Sequence, residues 1–104
     1  MKFRVFTTQE FDKDFEKFDE GTKRNIKKIV DQLKEQGDVV GKPLGHRYFR
    51  EKKFGDNRLY YLVYKQLILI VAIGNKKMQQ ETIDSVLAEL DTYWHLMRNI
   101  LDAL

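Results

Sequence analysis

The chain has 104 residues, of which 42% are hydrophobic and 34% charged, and its net charge is +3. This length and balance predict one globular domain over residues 1–104. Because there is no cysteine, a disulfide framework, a zinc–thiolate site and a thiol nucleophile are excluded. The sequence contains no signal-peptide pattern and no apolar run of membrane-spanning length, so we expect a cytoplasmic protein with no membrane partner.

The first segment predicts a short strand followed by a helix. Residues 2–7 alternate polar and apolar side chains, as a half-buried strand does. Thr7 and Glu10 have the spacing of a capping box, which places a helix start at once. The helix, about ten residues long, would carry one apolar stripe that we assign to the core, made of Phe11, Phe15 and Phe18.

A second helix follows, and the two are expected to form an antiparallel hairpin on one face of a sheet. Its inner face is predicted to be Ile26, Ile29, Val30 and Leu33, and Gly37 has the position of a C-cap. The lysines on its outer face are interpreted as a solvated surface, with an auxiliary phosphate contact as the alternative. Residues 38–45 then form a connecting loop with the only proline.

The segment 46–77 predicts a meander of three strands. Its strand-like runs cover 46–54, 57–65 and 67–73, and they are separated by Gly55-Asp56-Asn57 and by Lys65-Gln66. The last run is almost wholly apolar, which is typical of a buried central strand. In the middle run, alternation places two sets on opposite faces, namely Arg58, Tyr60, Leu62 and Tyr64 against Leu59, Tyr61 and Val63. We expect the Arg58 face to be open and the other to meet the helices.

Positive charge is concentrated in this meander. Between residues 46 and 77 there are eight Lys and Arg side chains and two acids, whereas the whole chain has a net charge of only +3. Such clustering is the pattern expected of a surface that contacts phosphate. Antiparallel pairing would bring Lys76 and Lys77 towards Arg58. The preceding strand would add Arg50, Lys52 and Lys53, although unbroken charge over 50–53 is compatible with a bulge.

A cation cluster of this kind suits phosphodiester chemistry without a metal. An RNA 2′-hydroxyl can act as the internal nucleophile, and arginine can stabilise the charge on the phosphate. The alternative is structural, with Arg58 paired to Asp56 or Glu51. His46 and His95 have no ligand partner at helical or hairpin spacing, so we predict neither a metal site nor another cofactor.

The remaining segment, 78–104, predicts one long helix that extends beyond the compact domain. Its apolar residues recur at intervals of 4 and 3, as in a heptad seam, and include Leu87, Leu90, Trp94, Met97 and Leu101. Five acids against Arg98 make it unsuited to RNA. Three interpretations stay open for the seam, which are a homodimer contact, a contact with a partner protein, and packing on its own domain.

The order of elements and two motifs resemble the RelE/ParE toxin superfamily over roughly residues 2–90. The motifs are Phe54-Gly55-Asp56-Asn57-Arg58-Leu59-Tyr60-Tyr61 and Val71-Ala72-Ile73-Gly74-Asn75-Lys76-Lys77. The resemblance implies a small antiparallel sheet with helices packed on it. Together with the patterns above, we expect an α+β fold with a small twisted antiparallel sheet of about four strands, the helical hairpin on one face and, beyond the length of a compact toxin, the long C-terminal helix. It also implies a toxin of a type II toxin–antitoxin system with a cognate antitoxin as partner.

For a RelE-type member, the resemblance implies an endoribonuclease that cuts mRNA on the ribosome and inhibits translation. Arg58, Lys76 and Lys77 would then be catalytic, and Lys53, with Arg50 and Lys52, would bind RNA. The C-terminal tyrosine of the RelE type has no counterpart, because Gln80 or Thr82 occupies the nearest positions. The alternatives are a ParE-like inhibitor of DNA gyrase and a catalytically inactive protein-binding module.

Overall fold

The computed structural model describes residues 2–37, 39–45 and 48–104. The helices are α1 (Gln9–Glu16), α2 (Glu20–Gln36), α3 (Gln79–Ala88) and α4 (Leu90–Ala103). The strands are β1 (Arg4–Thr7), β2 (Lys42–Pro43), β3 (Phe49–Phe54), β4 (Asn57–Tyr64) and β5 (Leu67–Asn75), and a 3₁₀ turn spans Lys76–Met78. The predicted α+β class is confirmed. The predictions that involve Asp38, His46 and Arg47 lie outside the described residues.

The sheet has five strands in the order β1-β5-β4-β3-β2. The meander β3-β4-β5 is antiparallel as predicted, but β1 pairs with β5 in parallel. The predicted antiparallel sheet of about four strands is confirmed in its meander. The structure differs at the two edges, where β1 is parallel and the short β2 brings the number of strands in the described sheet to five. Alternation of side chains predicts a strand without indicating its direction. Flanked on both sides, β5 is the buried central strand that its apolar sequence predicted.

Both predicted turns of the meander are confirmed. Gly55-Asp56 joins β3 to β4 and Lys65-Gln66 joins β4 to β5, with Gly55 and Lys65 at φ values of 56° and 53°. The register of β3 against β4 is unbroken from Phe49 to Phe54, so no bulge interrupts the charged run there. The irregularity lies instead in β5 at Val71, which is skipped where β4 passes from Tyr60 to Tyr61.

The helical hairpin covers one face of the sheet, as predicted. The core on this side joins α1 and α2 to the odd-numbered face of β4, and its buried members include Phe11, Ile26, Ile29, Leu33, Leu59 and Tyr61. The predicted start of α1 is wrong by one residue. Thr8, not Thr7, is the N-cap, and its hydroxyl accepts the backbone N–H of Phe11 at 3.1 Å, whereas Thr7 donates to Asp12 at 2.6 Å.

Gly37 ends α2 as predicted, but the reason for glycine is close packing. Its φ is −53°, which any residue adopts. A Cβ at this position would lie 2.0 Å from Cδ1 of Ile68 and 2.8 Å from the carbonyl oxygen of Leu33. Because Ile68 is fully buried, neither neighbour has free space into which to move.

We therefore expect Gly37→Ala to lower the free energy of unfolding by about 1–3 kcal/mol through overpacking. Gly21→Ala is the matched control, because the nearest atom to a Cβ in that first turn of α2 is 3.5 Å away. Removing backbone freedom from the unfolded chain should make the control neutral or stabilising by about 0.4–1 kcal/mol. Urea denaturation of both variants checks this, and equal effects at the two positions would contradict the packing argument.

The C-terminal segment differs most from expectation. The predicted single helix is interrupted at Glu89, and α3 and α4 pack on the second face of the sheet. Met97 is fully buried there, and the Trp94 ring centroid lies 4.5 Å from that of Tyr64. Of the three interpretations of the seam, packing on its own domain is therefore the one observed, and Leu87, Leu90 and Leu101 also pack against this core.

Both faces of the sheet are therefore covered by helices, and the prediction of an open face is wrong. Leu96 and Leu104 of the C-terminal segment remain exposed at its outer side. Within the described residues, no helix is both long enough and apolar enough to cross a bilayer.

Candidate functional site

Arg58 lies at the start of β4, opposite Lys53 of β3 and Gly74 of β5. Only 5% of its surface is exposed, so the expectation of a solvent-open guanidinium is wrong. Gly74 contributes to this burial, because a Cβ there would lie 3.0 Å from Oγ1 of Thr82 in α3. Because Gly74 has no side chain, α3 can pack close to the sheet next to Arg58.

Arg58 nevertheless forms part of a cleft of about 340 Å³ at the outer edge of β3. The cleft is lined by the loop before β2, by β3, and by the first residues of β4 and α3, namely Val40, Gly41, Lys42, Glu51, Lys52, Lys53, Arg58 and Gln79. Nε and Nη1 of Arg58 are buried and find no hydrogen-bond acceptor among the described residues. A buried cation with unused donors is costly unless an anion or acceptor meets it.

The structure gathers only some of the predicted cations. Lys52 and Lys53 line the cleft with Arg58, whereas Lys76 and Lys77 are exposed on the 3₁₀ turn and do not line it. The backbone N–H of Lys76 donates to the carbonyl of Asp56 at 2.9 Å, which brings that turn to the same hairpin end. The backbone of Lys76 is therefore close to the hairpin that carries Arg58, but the side chains of Lys76 and Lys77 do not line the cleft, contrary to expectation.

Arg50 contacts the loop before β2 and does not line the cleft. Its Nη2 donates to the carbonyl oxygen of Gly41. The same loop is held by Tyr61, whose hydroxyl accepts the N–H of Gly41 at 3.0 Å and donates to the carbonyl of Gly37 at 3.1 Å. A Cβ on Gly41 would lie 2.5 Å from the carbonyl oxygen of Glu51. These contacts fix the loop against β3, and Lys42, which we had not predicted, therefore lines the cleft.

Glu51 is the site residue that the sequence analysis considered only as a partner for Arg58. Its side chain is 2% exposed, and one carboxylate oxygen accepts a hydrogen bond from Nε2 of Gln79 at 2.9 Å. The other oxygen lies 3.6 Å from Nζ of Lys42, which is directly opposite in β2. The sequence feature that could have identified Glu51 is its position as the single acid in the charged run 50–53, on a strand next to the edge of the sheet.

Tyr60 lies behind Glu51, its partner in the β3–β4 register. Burial raises the pKa of Tyr60, and the Glu51 carboxylate raises it further, while Arg58 acts in the opposite direction. The phenol therefore stays neutral throughout the physiological range. Its hydroxyl is buried beside the cleft, and both a hydrogen bond to Glu51 and the charge of that carboxylate favour the protonated phenol.

A metal centre is not indicated in this part of the molecule. In residues 2–37, 39–45 and 48–104, no three His, Cys, Asp or Glu side chains are grouped as metal ligands would be. The chemistry that the arrangement supports is binding of a phosphate group by fixed cations, with one carboxylate held beside them.

Comparison with known proteins places the chain in a family. Residues 5–80 match the family described as the ParE toxin of the type II toxin–antitoxin system, parDE. No curated protein sequence is significantly similar to the chain.

Solved structures of RelE toxins share the fold. The archaeal RelE–RelB complex of Pyrococcus horikoshii matches with a TM-score of 0.62 at 20% identity, over 73% of this chain and 97% of that one. The toxin–antitoxin RelBE complex of Mycobacterium tuberculosis gives 0.64 at 18%, over 73% and 93%. A free mutant RelE toxin of E. coli gives 0.67 at 17%, over 83% and 99%. With the family match over residues 5–80, the chain belongs to the RelE/ParE superfamily and is a toxin of a type II toxin–antitoxin system.

Proposed function

We propose that this toxin is a RelE-like endoribonuclease that cuts mRNA on the ribosome and thereby inhibits translation. The observation that carries the proposal is Arg58, a buried guanidinium whose Nε and Nη1 lack acceptors and which lines a cleft shared with lysines. A phosphodiester would supply the acceptor oxygens, and a planar guanidinium matches their geometry.

In this proposal Arg58 stabilises the charge that develops on the phosphate during attack by the 2′-hydroxyl. Lys52 and Lys53, on the wall of the same cleft, position the RNA strand. Lys76 and Lys77 lie outside the cleft and would contact phosphates that flank the cleavage position. No metal is required, because the nucleophile belongs to the substrate.

The test is direct cleavage of a defined mRNA on ribosomes by the purified toxin. Wild-type protein should cut at specific positions and leave a 2′,3′-cyclic phosphate and a 5′-hydroxyl. A single 2′-deoxy nucleotide on the 5′ side of the cut bond should abolish cleavage there. Absence of cleavage by wild-type toxin on programmed ribosomes would refute the proposal.

A second candidate is a ParE-like inhibitor of DNA gyrase that cuts no RNA. It is favoured by the composition of α3, where Gln79 binds Glu51 and no tyrosine follows within α3. The two candidates separate in one pair of assays, since a ParE-like protein would trap gyrase on DNA and leave ribosome-bound mRNA intact. A protein inactive in both assays would be a binding module.

We also propose that a cognate antitoxin neutralises this chain, because RelE toxins of the same fold were crystallised with RelB antitoxins. A short gene beside this one, encoding an amphipathic protein with an acidic tail, would be the expected source. Its co-expression should restore growth to cells that express the toxin.

A further inference from the structure

Lys42 lies on the outer wall of the cleft, and the proposed function gives it no role. The charged lining of the cleft consists of four cations and one acid, namely Lys42, Lys52, Lys53, Arg58 and Glu51. We propose that Lys42 binds a backbone phosphate of the RNA strand and that Tyr61 is the positioning residue that places Lys42 there. This inference rests on the proposed endoribonuclease function and extends its RNA contact to the wall formed by β2.

The ammonium of Lys42 is held beside the cleft by an acid, yet most of its side chain lies in solvent. Its Nζ is 3.6 Å from a carboxylate oxygen of Glu51, and its side chain is 66% exposed, whereas that of Glu51 is 2% exposed. An ammonium has three N–H donors, so contact with one carboxylate oxygen leaves donors for a phosphate. In this contact Glu51 has a structural role, because it keeps the Lys42 side chain at the cleft.

Lys42 and Arg58 come from strands that are not neighbours. β2 pairs with β3 at Lys42 and Glu51, and β3 pairs with β4 at Lys53 and Arg58. Adjacent strands are about 4.8 Å apart, so the backbones of Lys42 and Arg58 are separated by roughly 10 Å. We therefore assign the scissile phosphate to Arg58 and a flanking phosphate of the same RNA strand to Lys42.

Lys42 has little regular structure to fix its position, because β2 contains only Lys42 and Pro43. The residue before it is held instead by side chains of β3 and β4. The hydroxyl of Tyr61 accepts the backbone N–H of Gly41 at 3.0 Å, and Nη2 of Arg50 donates to the carbonyl oxygen of Gly41. Since Arg50 lies opposite Tyr61 in the register, one cross-strand pair binds both backbone polar groups of Gly41.

The hydroxyl of Tyr61 also reaches the end of α2. It donates to the carbonyl oxygen of Gly37 at 3.1 Å, so one oxygen atom joins the end of α2 to the wall of the cleft. The side chain of Tyr61 is fully buried in the core under the helical hairpin and does not line the cleft. Tyr61 can therefore affect RNA only through the loop before β2, which makes it a positioning residue and not a catalytic one.

The first test measures RNA binding and does not depend on cleavage. The probe is a short fluorescein-labelled single-stranded RNA made uncleavable by 2′-deoxy substitution, titrated by anisotropy from about 50 to about 200 mM salt. Lys42→Met should weaken binding roughly fivefold at low salt. It should also reduce the slope of log affinity against log salt by about 0.7, the value for one phosphate contact on a single strand. Lys13→Met, at an exposed position of α1, is the matched control and should change neither quantity.

A double-mutant cycle tests the positioning role of Tyr61. Tyr61→Phe removes only the hydroxyl, so it should weaken binding and reduce the salt slope as Lys42→Met does, to the same extent or less. In the Lys42→Met background it should cause a further loss of no more than about twofold, because the side chain that it positions is gone. Tyr64→Phe removes a hydroxyl from the other end of β4 and should bind as wild type does. Lower stability alone would not change the salt slope, so the slope separates positioning from a structural role.

Single-turnover cleavage on ribosomes gives a second measurement. Lys42→Met and Tyr61→Phe should both raise the toxin concentration that gives the half-maximal rate and leave the maximal rate within about threefold of wild type, since the flanking contact is made in the ground state and the transition state alike. Thermal unfolding of each variant establishes that folded protein is compared.

The outcomes separate this inference from the proposed function. Wild-type affinity and salt slope for Lys42→Met would overturn the phosphate contact. Wild-type binding by Tyr61→Phe, or additive losses in the double variant, would overturn the positioning role. A toxin that cleaves mRNA on ribosomes but does not bind the RNA probe would refute the inference and leave the endoribonuclease function intact. Conversely, a toxin whose variants bind as expected but which cuts no mRNA would retain the Lys42 contact and lose the endoribonuclease function.

Discussion

Arg58→Met should slow RNA cleavage by at least two orders of magnitude, to about 1% of the wild-type rate or less, and leave the folded protein at least as stable as wild type. The two effects have the same origin, because the guanidinium is 5% exposed and two of its nitrogens find no acceptor among the described residues. A group retained at a cost to the fold is expected where it has a functional role. Methionine fills a similar volume without requiring hydrogen bonds.

The expected loss of cleavage is about 10²- to 10³-fold in the rate constant, the range for removal of one charge-stabilising donor from a protected site. Replacing a buried ionic group with an apolar one of similar size is often neutral or stabilising by about 1–4 kcal/mol. For a domain of this size, each 1 kcal/mol moves Tm by roughly 4–8 °C. Ribosome-based cleavage and thermal circular dichroism measure the two quantities on the same preparations.

Arg24→Met is the control for this exchange. Arg24 lies on the exposed outer face of α2, so the same substitution there should leave cleavage unchanged and alter stability by no more than about 0.5 kcal/mol. A marked fall in the stability of Arg58→Met would mean that the guanidinium has an internal partner. If Arg58→Met cleaved RNA at the wild-type rate, Arg58 would not be a catalytic residue.

Met97→Ala should destabilise the protein strongly. The side chain of Met97 is 0% exposed, and it lies in the core that also contains Phe49, Leu62 and Leu69. Truncating such a side chain to alanine costs about 2–5 kcal/mol through lost contacts and the cavity left behind. We therefore expect Tm to fall by about 10 °C or more.

Leu104→Ala is the matched control, because Leu104 ends the same segment and is 57% exposed. Its effect should stay within about 0.5 kcal/mol. If α4 instead formed a homodimer contact, the loss caused by Met97→Ala would depend on protein concentration. Thermal melts over a hundredfold range of concentration, combined with sedimentation, distinguish the two. An unchanged Tm for Met97→Ala would contradict the packing of α4 on its own sheet.

The candidate site was partly predictable. Arg58, Lys52 and Lys53 were named from charge clustering at a hairpin end, and all three line the cleft. Lys42 was not predicted as a site residue, because β2 pairs with β3 through only two residues and so short a strand leaves no periodic signal. Glu51 was considered only as a structural partner for Arg58. The side chains of Lys76 and Lys77 were expected near Arg58 and do not line the cleft, because backbone register does not determine where long side chains point.

Local features were determined by the sequence itself. The two turns of the meander, the alternating faces of β4 and the inner face of α2 all depend on residues within a few positions of one another, where backbone sterics and periodicity act directly. Only the tertiary structure decided that β1 joins β5 in parallel, that the C-terminal segment breaks at Glu89 and folds back, and that Arg58 is covered. The physical reason is that an apolar stripe specifies only that it must be buried, and the surface that buries it can be chosen only once the whole sheet has formed.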